Sequence, residues 1–93
     1  MNDLALQKFQ SRLQSDGIPG PEAAWLAQLW ADTSDLLKCS LGLGAMLEGE
    51  DIMVYIHVGN KPGVLQIPMG DLESMMSPAW DLAERVRNEL LAQ

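Results

Sequence analysis

Residues 52–58 read IMVYIHV, and this stretch decides how the rest of the chain is arranged. Every second residue is β-branched, so an extended backbone places four of them on one face: Ile52, Val54, Ile56 and Val58. Such alternation is typical of a β-strand that packs one face on a core. The opposite face carries Met53, Tyr55 and His57. We therefore predict a strand over residues 52–58 with one buried face and one amphipathic face.

Turns and further alternating runs lie on both sides of this strand. Residues 48–51 are Glu-Gly-Glu-Asp, a composition typical of a hairpin turn. Apolar residues occupy every second position from Leu37 onward to position 47, which predicts a preceding strand. The alternative is that the second helix extends through Leu37. Residues 59–63 predict a loop, and residues 64–67 predict a short strand that Pro68 ends.

Helical periodicity precedes the predicted sheet. Residues 3–15 carry apolar residues at helical spacing: Leu6, Phe9 and Leu13. A second helix is predicted from Pro21, because proline suits the first helical position. Its broad apolar face includes Trp25, Leu26, Leu29, Trp30 and Thr33.

A further helix follows the predicted sheet. Residues 71–76 predict a helical turn, and Ser77 and Pro78 predict an N-cap and a first-position proline for the last helix. Its predicted buried stripe consists of Ala79, Leu82, Ala83, Val86 and Leu90. Asp81 and Arg85 are four residues apart on it and are predicted to form an ion pair. The resulting fold is α+β, in the order α-α-β-β-β-α, with a three-stranded antiparallel meander and helices packed on one face.

Length and composition restrict the class of protein. The 93 residues suffice for a single domain spanning 1–93. Cys39 is the only cysteine, so we expect no intramolecular disulfide and no cysteine-based zinc cluster. The first residues lack the basic and apolar regions of a signal peptide, and no run approaches the roughly 18 apolar residues of a membrane span. We expect a cytoplasmic protein that binds no membrane.

The charge balance argues against direct nucleic-acid binding. Thirteen carboxylates against six Lys and Arg give a net charge of −7, whereas phosphate-backbone binding relies on clustered cations. Net negative charge also keeps a small protein soluble, which is the simpler explanation for it. The densest acidic cluster, Glu48, Glu50 and Asp51, lacks the spacing of a calcium loop and is interpreted as a solvated turn.

No motif in the chain predicts catalysis, a metal site or a cofactor. His57 is the only histidine, and no nucleophile-elbow motif accompanies it. Cys39 with His57 is a conceivable nucleophile and base, but alternation assigns Cys39 to the apolar parity of a strand, as a small buried thiol. Gly42-Leu43-Gly44 lacks the third glycine and the lysine of a phosphate-binding loop, and instead allows a bend or a close backbone approach.

Two surfaces are candidate binding sites. The first is the outer sheet face with Met53, Tyr55 and His57, which Met46 and Val64 flank. The alternatives are that another helix covers this face or that it is an ordinary solvated face. The second is the aromatic pair of α-helical residues Trp25 and Trp30. These are five positions apart, about 140° beyond a full turn, so one of them, or Trp80, is expected to be partly exposed as an anchor. Core packing is the alternative for the tryptophans.

These observations favour a small acidic protein-binding module, such as an adaptor, a small chaperone or an inhibitor of another protein. A three-stranded sheet leaves open edges, so a homodimer is expected. One alternative is an acidic antagonist that mimics nucleic acid and occupies a nucleic-acid-binding protein. A second alternative is a small-molecule enzyme with a carboxylate site, because carboxylate pairs leave no local trace in a sequence.

Overall fold

A computed structural model describes residues 3–92, and it has the predicted α+β architecture in the order α-α-β-β-β-α. The three strands form one antiparallel sheet in the order β1-β2-β3. In chain order, the elements are helix α1 (Asp3–Ser15), helix α2 (Gly20–Leu37), strand β1 (Leu41–Glu48), strand β2 (Asp51–Val58), strand β3 (Leu65–Pro68), the short helix α3 (Met69–Glu73), helix α4 (Pro78–Val86) and a π-helical turn (Arg87–Leu91).

The two N-terminal helices begin close to their predicted positions. Helix α1 spans the predicted residues 3–15 and buries Phe9 and Leu13. The chain then turns at Gly17, whose φ of +99° is readily adopted only by glycine. Pro21 lies in the first turn of α2, where its missing N–H costs no helical hydrogen bond.

The predicted strand start at Leu37 is wrong, and the alternative of a longer second helix is correct. Helix α2 continues through Leu37 and ends at Lys38, which adopts a left-handed conformation with φ of +55°. The backbone N–H of Lys38 donates to the carbonyl oxygen of Ser34 at 2.8 Å, which closes the last turn. Leu26, Thr33 and Leu37 recur at helical spacing, so packing of this face on the core outweighs the local alternation.

The strands pair so that apolar residues of the inward parity lie opposite one another. In the β1–β2 hairpin, Leu43 lies opposite Ile56 and Ala45 opposite Val54. Gly49 in the turn has a φ of +66°, which suits the tight connection. Strand β3 is shorter, and it pairs with only the middle of β2, residues 53–56, where Ile67 lies opposite Val54.

One face of the sheet packs against the helices and forms the core. The buried strand residues all share the inward parity: Leu41, Leu43, Ala45, Val54, Ile56, Val58, Leu65 and Ile67. They join one cluster with buried residues of the helices, among them Leu13, Leu26, Leu72, Leu82 and Val86. Val54 and Ile56 are completely buried at its centre, so β2 is the strand most fully enclosed on this side.

The C-terminal helix matches its predicted pattern but not its predicted side-chain bonds. Ser77 precedes α4 as predicted, yet its hydroxyl makes no capping hydrogen bond. Arg85 does not pair with Asp81; its Nε lies 2.7 Å from an Oε of Glu89 instead. The shorter Asp81 lies in the first turn, where the positive end of the helix already favours its charge, and the longer Glu89 reaches the guanidinium. Leu90 is buried as predicted, in the π-helical turn.

Candidate functional site

The outer face of the sheet is open to solvent. Its outward positions are Gly42, Gly44, Met46 and Glu48 on β1, Met53, Tyr55 and His57 on β2, and Gln66 and Pro68 on β3. Every one of them is half-buried or exposed, so among residues 3–92 no helix covers this face. The structure therefore brings the three predicted residues of β2 together on one accessible surface.

His57 lies across the neighbouring strand on Gly42. The two residues are directly opposed in the register, and a β-carbon at Gly42 would overlap the imidazole ring. Glycine therefore leaves room for the ring against the strand, which is a known way for an aromatic side chain to cover a glycine in a sheet. The sequence interpretation was a bend or a close backbone approach, whereas the group that approaches Gly42 is a side chain.

Tyr55 leans towards the hairpin end of the face. Its hydroxyl donates to an Oε of Glu48 at 3.1 Å, although its register partner is Gly44. Partial desolvation raises the pKa of the Tyr55 phenol, and the hydrogen bond to the Glu48 carboxylate and its negative charge raise it further. The phenol therefore stays protonated as a donor at neutral pH.

Between these two rings the backbone of β1 is bare. No heavy atom beyond its chain neighbours lies within 4 Å of the position that a β-carbon of Gly44 would occupy. Met46 and Met53 face each other across the strands next to it, and Met46 is 48% exposed. The result is an open stretch of β1 backbone at Gly44, with flexible thioethers on one side and an imidazole on the other. Val64 is also exposed, but it precedes β3 and is not part of the paired face.

The free edge of β1 is partly occupied by helix side chains. Arg12 donates to the carbonyl oxygen of Leu43 at 2.6 Å, and the indole N–H of Trp30 donates to that of Leu41 at 2.7 Å. The Trp30 ring stacks on the Phe9 ring with centroids 4.1 Å apart, and the Arg12 guanidinium lies 4.9 Å from the centre of the Phe9 ring. Trp30 thus joins α1, α2 and β1, and it is half-buried.

The other two tryptophans line a groove between α2 and α4. Trp25 is half-buried, and Trp80 is 62% exposed. We expected one of the three tryptophans to be partly exposed, and Trp80 is the most exposed of them.

The conceivable Cys39–His57 pair gains no support from the fold. Cys39 is half-buried in the connection between α2 and β1, not in a strand as alternation suggested, because α2 extends further than predicted. It lines a hollow with Trp30, Ser34 and Leu41. His57 lies on the outer face, which is formed by the paired strands.

A second acidic feature emerges only from the fold. Four carboxylates from three separate segments of the chain line one hollow of about 400 Å³: Glu22, Glu50, Asp51 and Glu73. Apolar atoms of Leu47, Ile52 and Met69 also line it. The sequence showed only the turn residues of this cluster, since Glu22 and Glu73 reach it through the packing of α2 and α3.

Within residues 3–92, no group of three His, Cys, Asp or Glu side chains is placed to hold a metal ion. In the same residues, none of the helices has the length and apolar character needed to cross a membrane. No protein-family model, curated protein or solved structure matches the chain.

Proposed function

We propose that this chain is a small acidic protein-binding module that associates non-covalently with another protein through the outer face of its sheet. The observation that supports this most is the uncovered backbone at Gly44, with Met46, Met53, Tyr55 and His57 around it on one open face. Tyrosine and methionine are enriched at the centres of interfaces, and methionine adapts its shape to a partner. Adaptor, small-chaperone and inhibitor roles all use such a surface, and the proposal assigns no catalytic residue.

A second copy of the chain is one partner that we expect. The edge of β1 carries side-chain hydrogen bonds and β3 has four residues ending in Pro68, so neither edge is a long free template for strand addition. Face-to-face packing of two outer faces is therefore favoured over edge pairing in a homodimer. Sedimentation at increasing concentration tests this, with a dimer for the native chain and a monomer for Tyr55→Ala; a native chain that stays monomeric would contradict it.

Capture from the native cell type with a tagged chain tests the wider proposal. The native chain is compared with a Met46→Ser/Tyr55→Ala variant and with Met76→Ser, which alters a fully exposed methionine outside the face. We expect one protein to be retained by the native chain and by Met76→Ser at low and at moderate salt, and lost by the face variant. Equal retention by all three chains, or no retained protein, would contradict the proposal.

An acidic antagonist of a nucleic-acid-binding protein is the second candidate, and the hollow lined by four carboxylates favours it. Carboxylates gathered on one surface are what a phosphate-like array requires. Such a partner is basic, and it should dissociate steeply as salt rises, because exposed charge pairs are screened. Replacing Glu50 and Glu73 with glutamine should then release it, whereas Tyr55→Ala should not.

A further inference from the structure

The groove between α2 and the amino end of α4 has a chemistry of its own. Its volume is about 330 Å³, which is within the range of small-molecule pockets. It is lined by Trp25, Gln28, Leu29, Asp32, Ser77, Pro78, Ala79 and Trp80. None of these residues belongs to the sheet, so the groove shares no residue with the outer face.

Two indoles and one carboxylate make this groove attractive to a cation. The electron-rich faces of tryptophan bind cations better than those of any other aromatic residue. Asp32 adds a full negative charge, and its Oδ1 accepts a hydrogen bond from Gln28 at 2.9 Å. None of the lining residues is a lysine, an arginine or a histidine that would neutralise it.

The amino end of α4 opposes a cation only weakly. A helix N-terminus carries a partial charge of roughly +0.5, which is smaller than the full charge of Asp32. Pro78 has no N–H, so this helix end offers one donor fewer to an anion. Asp81, in the first turn of α4, offsets the helix dipole further.

The apolar part of the lining selects among cations. Leu29, Pro78 and Ala79 accompany the indoles, and a primary ammonium would lose strong hydration against them. A cation that carries methyl groups loses less hydration and gains apolar contact. We propose that this groove binds an alkylated organic cation, in particular a quaternary ammonium group. The group can come from a free small molecule or from a trimethylated lysine side chain.

Indole N–H signals in an NMR titration provide the test, with choline as the probe. We expect the signals of Trp25 and Trp80 to shift, while Trp30, which is bonded to Leu41, stays in place. The neutral isostere of choline, in which carbon replaces nitrogen, should bind at least about fivefold more weakly, as expected for loss of a cation–π interaction of about 1 kcal/mol. A peptide with trimethyllysine, compared with its unmodified form, distinguishes the two sources of the group.

Variants distinguish recognition of the positive charge from non-specific apolar binding. Trp80→Ala and Asp32→Asn should each weaken choline binding about fivefold or more. Met76→Ala, a change at a fully exposed residue outside the groove, should leave it unchanged. Trp80 is largely exposed, so its replacement should leave the melting temperature near the native value. Equal binding of choline and its isostere, unshifted Trp25 and Trp80 signals, or full binding by Asp32→Asn would each overturn the proposal.

Discussion

Adding a methyl group at Gly42 should have a different effect from adding one at Gly44, although both residues lie on the outer face of β1. Neither glycine has a positive φ, so alanine fits both backbones. Removing glycine from a strand stabilises it by about 0.5–1 kcal/mol, and Gly44→Ala should show this gain because the space around it is open. At Gly42 the new methyl group overlaps the imidazole of His57. Moving this exposed ring from its preferred position costs about 0.5–1.5 kcal/mol, so Gly42→Ala should be less stable than Gly44→Ala by about that amount.

A double-mutant cycle isolates this contact. In a His57→Ala background the obstacle is gone, and Gly42→Ala should then stabilise the chain as much as Gly44→Ala does. The coupling free energy between positions 42 and 57 should therefore be about 0.5–1.5 kcal/mol. Urea unfolding monitored by tryptophan fluorescence gives each free energy of unfolding. If Gly42→Ala stabilises the native chain as much as Gly44→Ala and the coupling is zero, the placement of His57 on Gly42 is refuted.

Three further predictions concern the sheet and its edge. Ile56→Ala should cost about 2–5 kcal/mol of unfolding free energy, because Ile56 is fully buried. Tyr55→Ala should cost about 1 kcal/mol or less. Denaturant unfolding measures both, and similar losses would place Tyr55 in the core. Trp30→Phe keeps a ring to stack but leaves the carbonyl of Leu41 without its indole donor. Calorimetry should therefore show a loss of about 1–2 kcal/mol of unfolding free energy. An unchanged unfolding transition would disprove that hydrogen bond. Tyr55 is the only tyrosine, so ultraviolet absorbance should show its phenol titrating above pH 10.0, and Glu48→Gln should lower that pKa. The contribution of the protonated phenol to stability is complete below pH 10.0. It is lost only as the pH rises through the raised pKa.

Strand alternation predicted most of the sheet, since parity decides which face of a strand is buried. The inward and outward residues of β2 were correct from sequence because strands show a period of two wherever one face is packed. The same logic failed at Leu37 and Cys39, where alternation arose by chance at the end of a helix. Packing of one face of α2 on the core decided where that helix ends, and a local sequence pattern does not contain this information.

The candidate site on a single strand was predictable from sequence, and the site formed between two helices was not. Met53, Tyr55 and His57 were predictable as one surface because they belong to a single strand. The groove was not, because Trp25 and Trp80 come to line it only through the packing of two helices that are far apart in the chain. The role of Trp30 at the β1 edge was likewise hidden, since its hydrogen-bond acceptor lies on another element.

Methionine oxidation measured by mass spectrometry tests most directly whether the outer face is a protein-binding surface. Met46 and Met53 lie on that face, and Met76 is a fully exposed internal reference outside it. Solvent exposure controls how fast each thioether is oxidised. With the captured partner bound, or in the homodimer, Met46 and Met53 should be oxidised several-fold more slowly than in the free chain, and Met76 should be unaffected. Unchanged oxidation of Met46 and Met53 in the bound state would contradict the account.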